Sequence, residues 1–217
     1  MTSFGWPEFL FLLRSTGWTL LLTVIAFTLG GVAGGGIAIM RLSRNPVLRW
    51  IAMLYILVIQ SIPVLMVLFM SYYGLTLFGI ELPPTVAASA SLAVYVAAYL
   101  AEIWRGCIQA VPKQQWEASA SLALTRFEQY RYVILPQAIR ISLPPTVGFL
   151  VQLVKNTSIV SVVGFTDLAR AGQLINQAVF KPFQVFTVVA ALYFVICFPL
   201  SRLSRYLEGR LNARRSH

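Results

Sequence analysis

Charge is scarce in this chain. Of 217 residues, 11% are Asp, Glu, Lys or Arg and 58% are hydrophobic, whereas soluble domains run near ~25% charged and ~45–50% apolar. That deficit excludes an ordinary water-soluble domain and leaves an integral membrane protein. Acids are scarcest: seven Asp and Glu in all, with one histidine, His217, at the last position. Too few remain for a carboxylate pair or a metal cluster, so neither metal nor cofactor is expected. A membrane enzyme of lipid-headgroup transfer needs such clusters and is disfavoured. Two widely separated cysteines, Cys107 and Cys197, make no disulfide framework and read as reduced packing residues. No Walker pattern occurs, and the run Gly30-Gly31 with Gly34-Gly35-Gly36 lacks the Lys-Ser or Lys-Thr of a phosphate loop, so this chain hydrolyses no ATP by that route. A basic n-region is also missing ahead of the first apolar run, which fits an uncleaved insertion signal rather than a cleaved signal peptide.

What is present is long apolar runs. A hydrocarbon core about 30 Å thick takes about 20 apolar residues per helix. Uncharged runs of that length lie at 15–40, 50–80 and 82–101; 141–166 is broken only by Lys155, and 182–201 closes the set. These predict an all-α integral membrane protein, one domain over 1–217, with five transmembrane helices at about 15–40, 50–75, 83–105, 139–164 and 182–203. A polar loop at about 106–138 separates the third and fourth. Residues 1–14, with Trp6 and several Phe, read as an interfacial segment.

Basic residues alternate between the connections. Arg41, Arg44 and Arg49 follow the first run, and Arg105, Lys113, Arg126, Arg131 and Arg140 flank the polar loop. Arg202, Arg205, Arg210, Arg214 and Arg215 follow the fifth, whereas the opposite side carries only Arg14, Arg170 and Lys181. Thirteen against three predicts the N-terminus outside and the C-terminus in the cytosol by the positive-inside rule. The net charge of +10 then answers topology and anionic membrane lipid, not nucleic acid.

Small residues predict packing. The Gly-xxx-Gly series from Gly30 to Gly36 allows close backbone approach between helices. Pro63 predicts a kink in the second span with a freed carbonyl at Ile59. Within the polar loop, Trp116, Ala120, Ala123, Leu124 and Phe127 recur at helical spacing behind Pro112. They predict a short amphipathic helix with one apolar stripe, lying on a partner or on the bilayer surface.

Three ordered motifs carry a resemblance. Gln115-Trp116-Glu117-Ala118-Ser119, then Leu122 to Thr125, then Val133-Ile134-Leu135-Pro136-Gln137-Ala138, resembles the EAA loop of ABC importer permeases. Pro136 to Arg140 followed by Leu153 to Ser158 is similar to the polar amino-acid subfamily, which includes histidine, glutamate, glutamine and arginine importers, and Ala98 to Gly106 matches a third subfamily stretch. The resemblance implies a type I importer fold with a cytosolic coupling helix, in a bacterial inner membrane. It implies a separate ABC ATPase dimer bound through Gln115, Glu117, Ala118, Ser119, Ala123 and Arg126. An identical or homologous second permease and an extracytoplasmic amino-acid-binding protein are implied as further partners. Several positions depart from the pattern. Ala123 stands where the loop has Gly, Ser119 replaces the last Ala, and Gln60-Ser61-Ile62-Pro63 replaces Arg-Gly-Thr-Pro. Tyr95 occupies the place of a common amide. Because Gly alone reaches left-handed conformations freely, the turn at Ala123 is expected to be strained or rebuilt.

Lys155-Asn156-Thr157-Ser158 is the polar cluster of the fourth run. A Lys at a helix centre costs about 2.5–3.5 kcal/mol, so it faces protein or water rather than lipid. With Glu102 these four residues form the expected substrate pathway, where ammonium and carboxylate groups of amino acids meet complementary side chains. Glu102 and Arg105 are equally readable as an interfacial pair, and Asp167 with Arg170 as a surface pair. Two alternatives stand beside the importer reading: a structural partner permease with no substrate site of its own, and a secondary amino-acid carrier.

Overall fold

The computed structural model describes residues 4–79 and 81–215, apart from the side chains at position 75 and from 212 onward. Ile80, His217 and the side chains of Arg214 and Arg215 therefore lie outside the described residues. Among the described residues every regular element is helical: α1 Trp6–Leu42, α2 Pro46–Ser61, α3 Val64–Thr76, α4 Pro84–Gln109 and α5 Lys113–Ser121. A continuous helix follows, made of α6 Arg126–Glu128, a π-helical segment Gln129–Ile134, α7 Leu135–Asn156 and a 3₁₀ segment Thr157–Val163. Then come α8 Leu168–Val179 and α9 Pro182–Arg215. Four helices are long and apolar enough to cross a membrane, and α2 with α3 makes a fifth if the bent pair counts as one span.

α4 is the axis of the bundle. Ala88, Leu92, Val96 and Leu100 are buried on it against Leu22 and Ala26 of α1, Leu68 of α3 and Phe149 and Leu153 of α7. The glycines of α1 make this contact close. A Cβ on Gly30 would meet the Val96 Cβ at 2.5 Å, and one on Gly34 the Ala97 carbonyl at 2.9 Å. Gly31 and Gly35 have more room, and nothing lies within 4 Å of a Cβ on Gly36. Only one face of the glycine run is thus used for packing.

Several expectations change. Among the described residues, 6–14 are not a separate segment: α1 begins at Trp6 and continues through 37 residues, about 55 Å at 1.5 Å per residue. Leu12 holds it in line, fully buried among Leu168, Val179 and Val185 of α8 and α9. Pro63 does not kink one helix but separates two. α2 and α3 meet at 104°, and the Pro63 carbonyl accepts the Met66 and Val67 N–H groups at 2.8 and 3.3 Å to open α3. The fourth long helix starts at Arg126, so in the stretch 106–138 only 110–112 and 122–125 interrupt helix. Pro136 sits inside this helix because the π-helical turn ahead of it, with the Leu135 N–H on the Tyr130 carbonyl, accommodates the missing donor.

The expected apolar stripe on α5 also dissolves. Leu122 to Thr125 turn the chain, so Phe127 belongs to the next helix and is exposed, as are Ala120 and Ala123. Trp116 and Ser119 form the inward face instead, beside Ile108, Val111, Ile134 and Ala138. Ala123 adopts φ +56°, a left-handed conformation that Gly reaches without penalty. An L-residue there is penalised by about 1–2 kcal/mol, partly offset because Gly frees the unfolded chain by up to ~1 kcal/mol. Ala123→Gly should therefore raise the thermal midpoint in detergent by about 2–4 °C, and Ala123→Val should lower it. A lower midpoint for the Gly variant would show that the turn is relaxed with Ala.

Candidate functional site

α5 is a short foot braced from one side. Trp116 packs edge-on against Tyr130, ring centroids 5.1 Å apart. The Gln137 side-chain amide donates to the Gln115 side-chain oxygen at 3.1 Å and to the Val133 carbonyl at 3.0 Å. The turn beyond is also tied. The Thr125 N–H and hydroxyl donate to the Glu128 carboxylate at 2.8 and 2.7 Å, and the Gln129 amide donates to the Leu124 carbonyl at 2.9 Å. Of the residues singled out in this loop, Gln115, Glu117, Ala118, Ala123 and Arg126 are exposed. Ser119 is buried, its hydroxyl donating to the Trp116 carbonyl at 2.9 Å. The outward face thus presents the Glu117 carboxylate and Ala118 beside the longer polar side chains of Lys113, Gln114 and Gln115.

A polar stripe runs along α7. Gln152 and Lys155 are exposed and Asn156 and Ser158 half-buried, and the Gln152 amide donates to the Asn156 side-chain oxygen at 3.2 Å. Thr157 is fully buried, with its hydroxyl donating to the Val154 carbonyl at 2.7 Å; the Ser158 hydroxyl bonds the Lys155 carbonyl in the same way. These bonds tighten the chain where α7 passes into the 3₁₀ turn.

The expected cluster divides here. Lys155 lines an open groove with Tyr193, Phe194, Cys197, Ser201 and Arg205 of α9, in which no acid is present. Asn156 instead lies beside the Tyr95 hydroxyl of α4. Tyr95, Tyr99 and Phe149 form one aromatic block there, with Tyr99 and Phe149 stacked at 5.4 Å and 13°. Glu102 stands apart from both, near the basic end of α4. The Arg105 Nε donates to Glu102 Oε2 at 2.9 Å and Nη2 engages the other carboxylate oxygen. The pair reading describes it.

Asp167 and Arg170 do not pair as expected. The Asp167 side chain is fully buried and caps α8, accepting the Ala169 and Arg170 backbone N–H groups at 3.2 and 2.9 Å and the Tyr193 hydroxyl at 3.4 Å. Burial pushes its carboxyl up from the usual range. Thr19 of α1 accepts the neighbouring Leu168 N–H at 3.0 Å. Both cysteines are buried free thiols.

Sequence reading missed Gln152 and the aromatic block. Gln152 was legible, since it precedes Asn156 by one helical turn. The block was not, because Tyr95 and Tyr99 meet Phe149 only through the tertiary packing of α4 on α7.

Comparison with known proteins agrees over nearly the whole chain. The family model described as "Binding-protein-dependent transport system inner membrane component" matches residues 26–213. The chain is 35% identical to "Probable amino-acid ABC transporter permease protein YckA" of Bacillus subtilis (strain 168), over 96% of this chain and 92% of that protein. It is 35% identical to "L-cystine transport system permease protein TcyB" of the same organism, over 90% of this chain and 84% of that one. A solved structure, "Crystal structure of an amino acid ABC transporter with histidines", superposes with TM-score 0.88 at 38% identity, covering 92% of this chain and 94% of that one. The chain belongs to the family of binding-protein-dependent transport system inner membrane components, the permease subunits of ABC importers.

Proposed function

We propose that this chain is the membrane-spanning subunit of an ATP-driven importer of polar amino acids in a bacterial inner membrane. The observation that carries the reading is the polar stripe of α7, with Gln152 and Lys155 exposed and Asn156 half-buried. Such groups face lipid only at a cost of several kcal/mol, so they call for a second permease or a water-filled path to cover them. Amino-acid permeases among its relatives support the substrate class. A dimeric ATPase then engages α5 through Gln115, Glu117, Ala118, Ala123 and Arg126, with Ser119 supporting that face from inside. An identical or homologous second permease completes the path, and an extracytoplasmic amino-acid-binding protein delivers the substrate. Lys155, Asn156, Thr157 and Ser158 line or support the pathway, while Glu102, paired with Arg105, is left outside it. The thirteen-to-three distribution of basic residues supports an N-terminus outside and a C-terminus in the cytosol.

One observation favours the structural-partner alternative. Tyr95 and Phe149 are buried against each other where Asn156 points, so the space between α4 and α7 is filled by aromatic rings. Substrate recognition would then fall to the second permease, with this chain supplying the wall and the coupling.

Two outcomes test the reading. Glu117→Lys should leave membrane level normal while reducing ATPase co-purification and uptake by about tenfold or more, as expected when a charge is reversed at a buried contact. Normal co-purification with normal uptake would remove α5 as the contact. In cysteine labelling of intact cells, a membrane-impermeant reagent should reach Gln173→Cys, and should reach Gln114→Cys only after permeabilisation. The reverse pattern would invert the topology and the coupling role together.

A further inference from the structure

Arg140 closes the Pro-Gln-Ala-Ile-Arg motif, yet it takes no part in the α5 contacts or the polar stripe. It lines a cleft of about 140 Å³ between α7 and α9 with Arg210, over Leu143, Leu207 and Leu211. Arginines from two different helices therefore line one cleft above an apolar floor. Among the described residues the single ion pair is Arg105 with Glu102, so neither arginine is neutralised by a carboxylate. The Arg210 guanidinium stacks on Tyr206 at 5.1 Å from the ring centroid, which fixes its position and leaves its donors unspent.

Leu143 also forms a wall of a second groove, of about 420 Å³, between α1 and α7. That groove is lined by Gly35, Ala38, Ile39, Trp104 and Ile139 and is almost wholly apolar. Its floor is fixed, because the Trp104 indole N–H donates to the Thr146 hydroxyl at 3.1 Å. The small residues of α1 on this stretch keep the groove open: a Cβ on Gly35 would find only Trp104, at 3.5 Å. A dicationic cleft and a long apolar slot thus share one ridge at the basic end of the bundle.

We propose that this composite site holds one anionic phospholipid, its phosphate between Arg140 and Arg210 and an acyl chain in the slot above Trp104. Charge complementarity selects the occupant. Arginine forks suit phosphate oxygens, and basic pockets between helices on the cytosolic side are where anionic headgroups collect. A zwitterionic lipid carries its own cation into the cleft and gains less. The site rests on the proposed orientation only for the leaflet from which lipid enters; binding in detergent does not depend on it.

The test uses the purified full-length chain in its complex, delipidated in detergent, and titrated with fluorescent phosphatidylglycerol or phosphatidylcholine. Wild type should prefer phosphatidylglycerol, and the Arg140→Gln/Arg210→Gln pair should weaken that binding by about tenfold while leaving phosphatidylcholine unchanged. Inorganic phosphate at millimolar concentration should not displace the lipid, since it lacks the chain; displacement would overturn the lipid assignment in favour of a free-anion site. Leu143→Trp fills the slot and should lower affinity with both arginines present. Size exclusion and thermal midpoint identify variants that fail to fold. Equal binding of the two lipids by wild type, or disulfide cross-linking of Leu143→Cys between two permease chains, would overturn the proposal. Cysteine labelling at Gln114 and Gln173 reports separately on the orientation.

Discussion

A single uninterrupted helix joins the two halves of this molecule. From Arg126 to Val163 the chain makes no break, so the foot at its basic end and the polar stripe near its other end belong to one body. The span from Arg126 to Lys155 is about 44 Å of helix at 1.5 Å per residue. α5 is locked to the start of that helix by Trp116 on Tyr130 and by the Gln115–Gln137 bond. On the proposed reading, a push on α5 is carried toward Asn156 along this one helix. Its irregularities are the π-helical segment Gln129–Ile134 and the pair Pro144-Pro145 inside α7, which lack backbone donors.

The remaining helices make that lever possible. α4 supports α7 through Val96, Leu100 and Phe149, and α1 clasps α4 because Gly30 and Gly34 allow its backbone in. Without a hydrophobic drive between helices inside lipid, close packing of this kind is what holds a bundle together. At the opposite end, Leu12, Leu168 and Val185 pin α1, α8 and α9, and the buried Asp167 cap fixes the start of α8. On the proposed reading, rocking of paired permeases moves these blocks rather than individual side chains.

Much of the fold was legible because the membrane makes simple demands. Apolar length and charge bias named the long helices, and the glycine spacing named the tight face of α1. Local sequence was a poorer guide wherever a terminus or break depended on packing. Pro63 reads as a kink within one span, whereas the chain leaves helix at Ile62 and turns by 104° into α3. The α5 stripe failed because Ala123, in a left-handed conformation, ends the helical period that the spacing assumed. Ser119 is inward because it lies one turn after Trp116, on the side of α5 that packs against Tyr130. In the site, Lys155 and Asn156 are adjacent in sequence and so point about 100° apart on a helix; which neighbour each meets is set by α9 and α4. The Asp167–Arg170 expectation treated an i,i+3 spacing as a surface pair, whereas a helix N-terminus offered the carboxylate two backbone donors.

The central claim is that the polar face of α7 serves the transport path instead of local stability. Uptake of labelled amino acid by reconstituted complexes carrying Lys155→Met or Asn156→Leu tests it most directly. The account predicts loss of uptake by about tenfold or more with normal membrane level and ATPase assembly, because an apolar replacement relieves the desolvation cost of the Lys and leaves the fold intact. Wild-type uptake in both variants would contradict it.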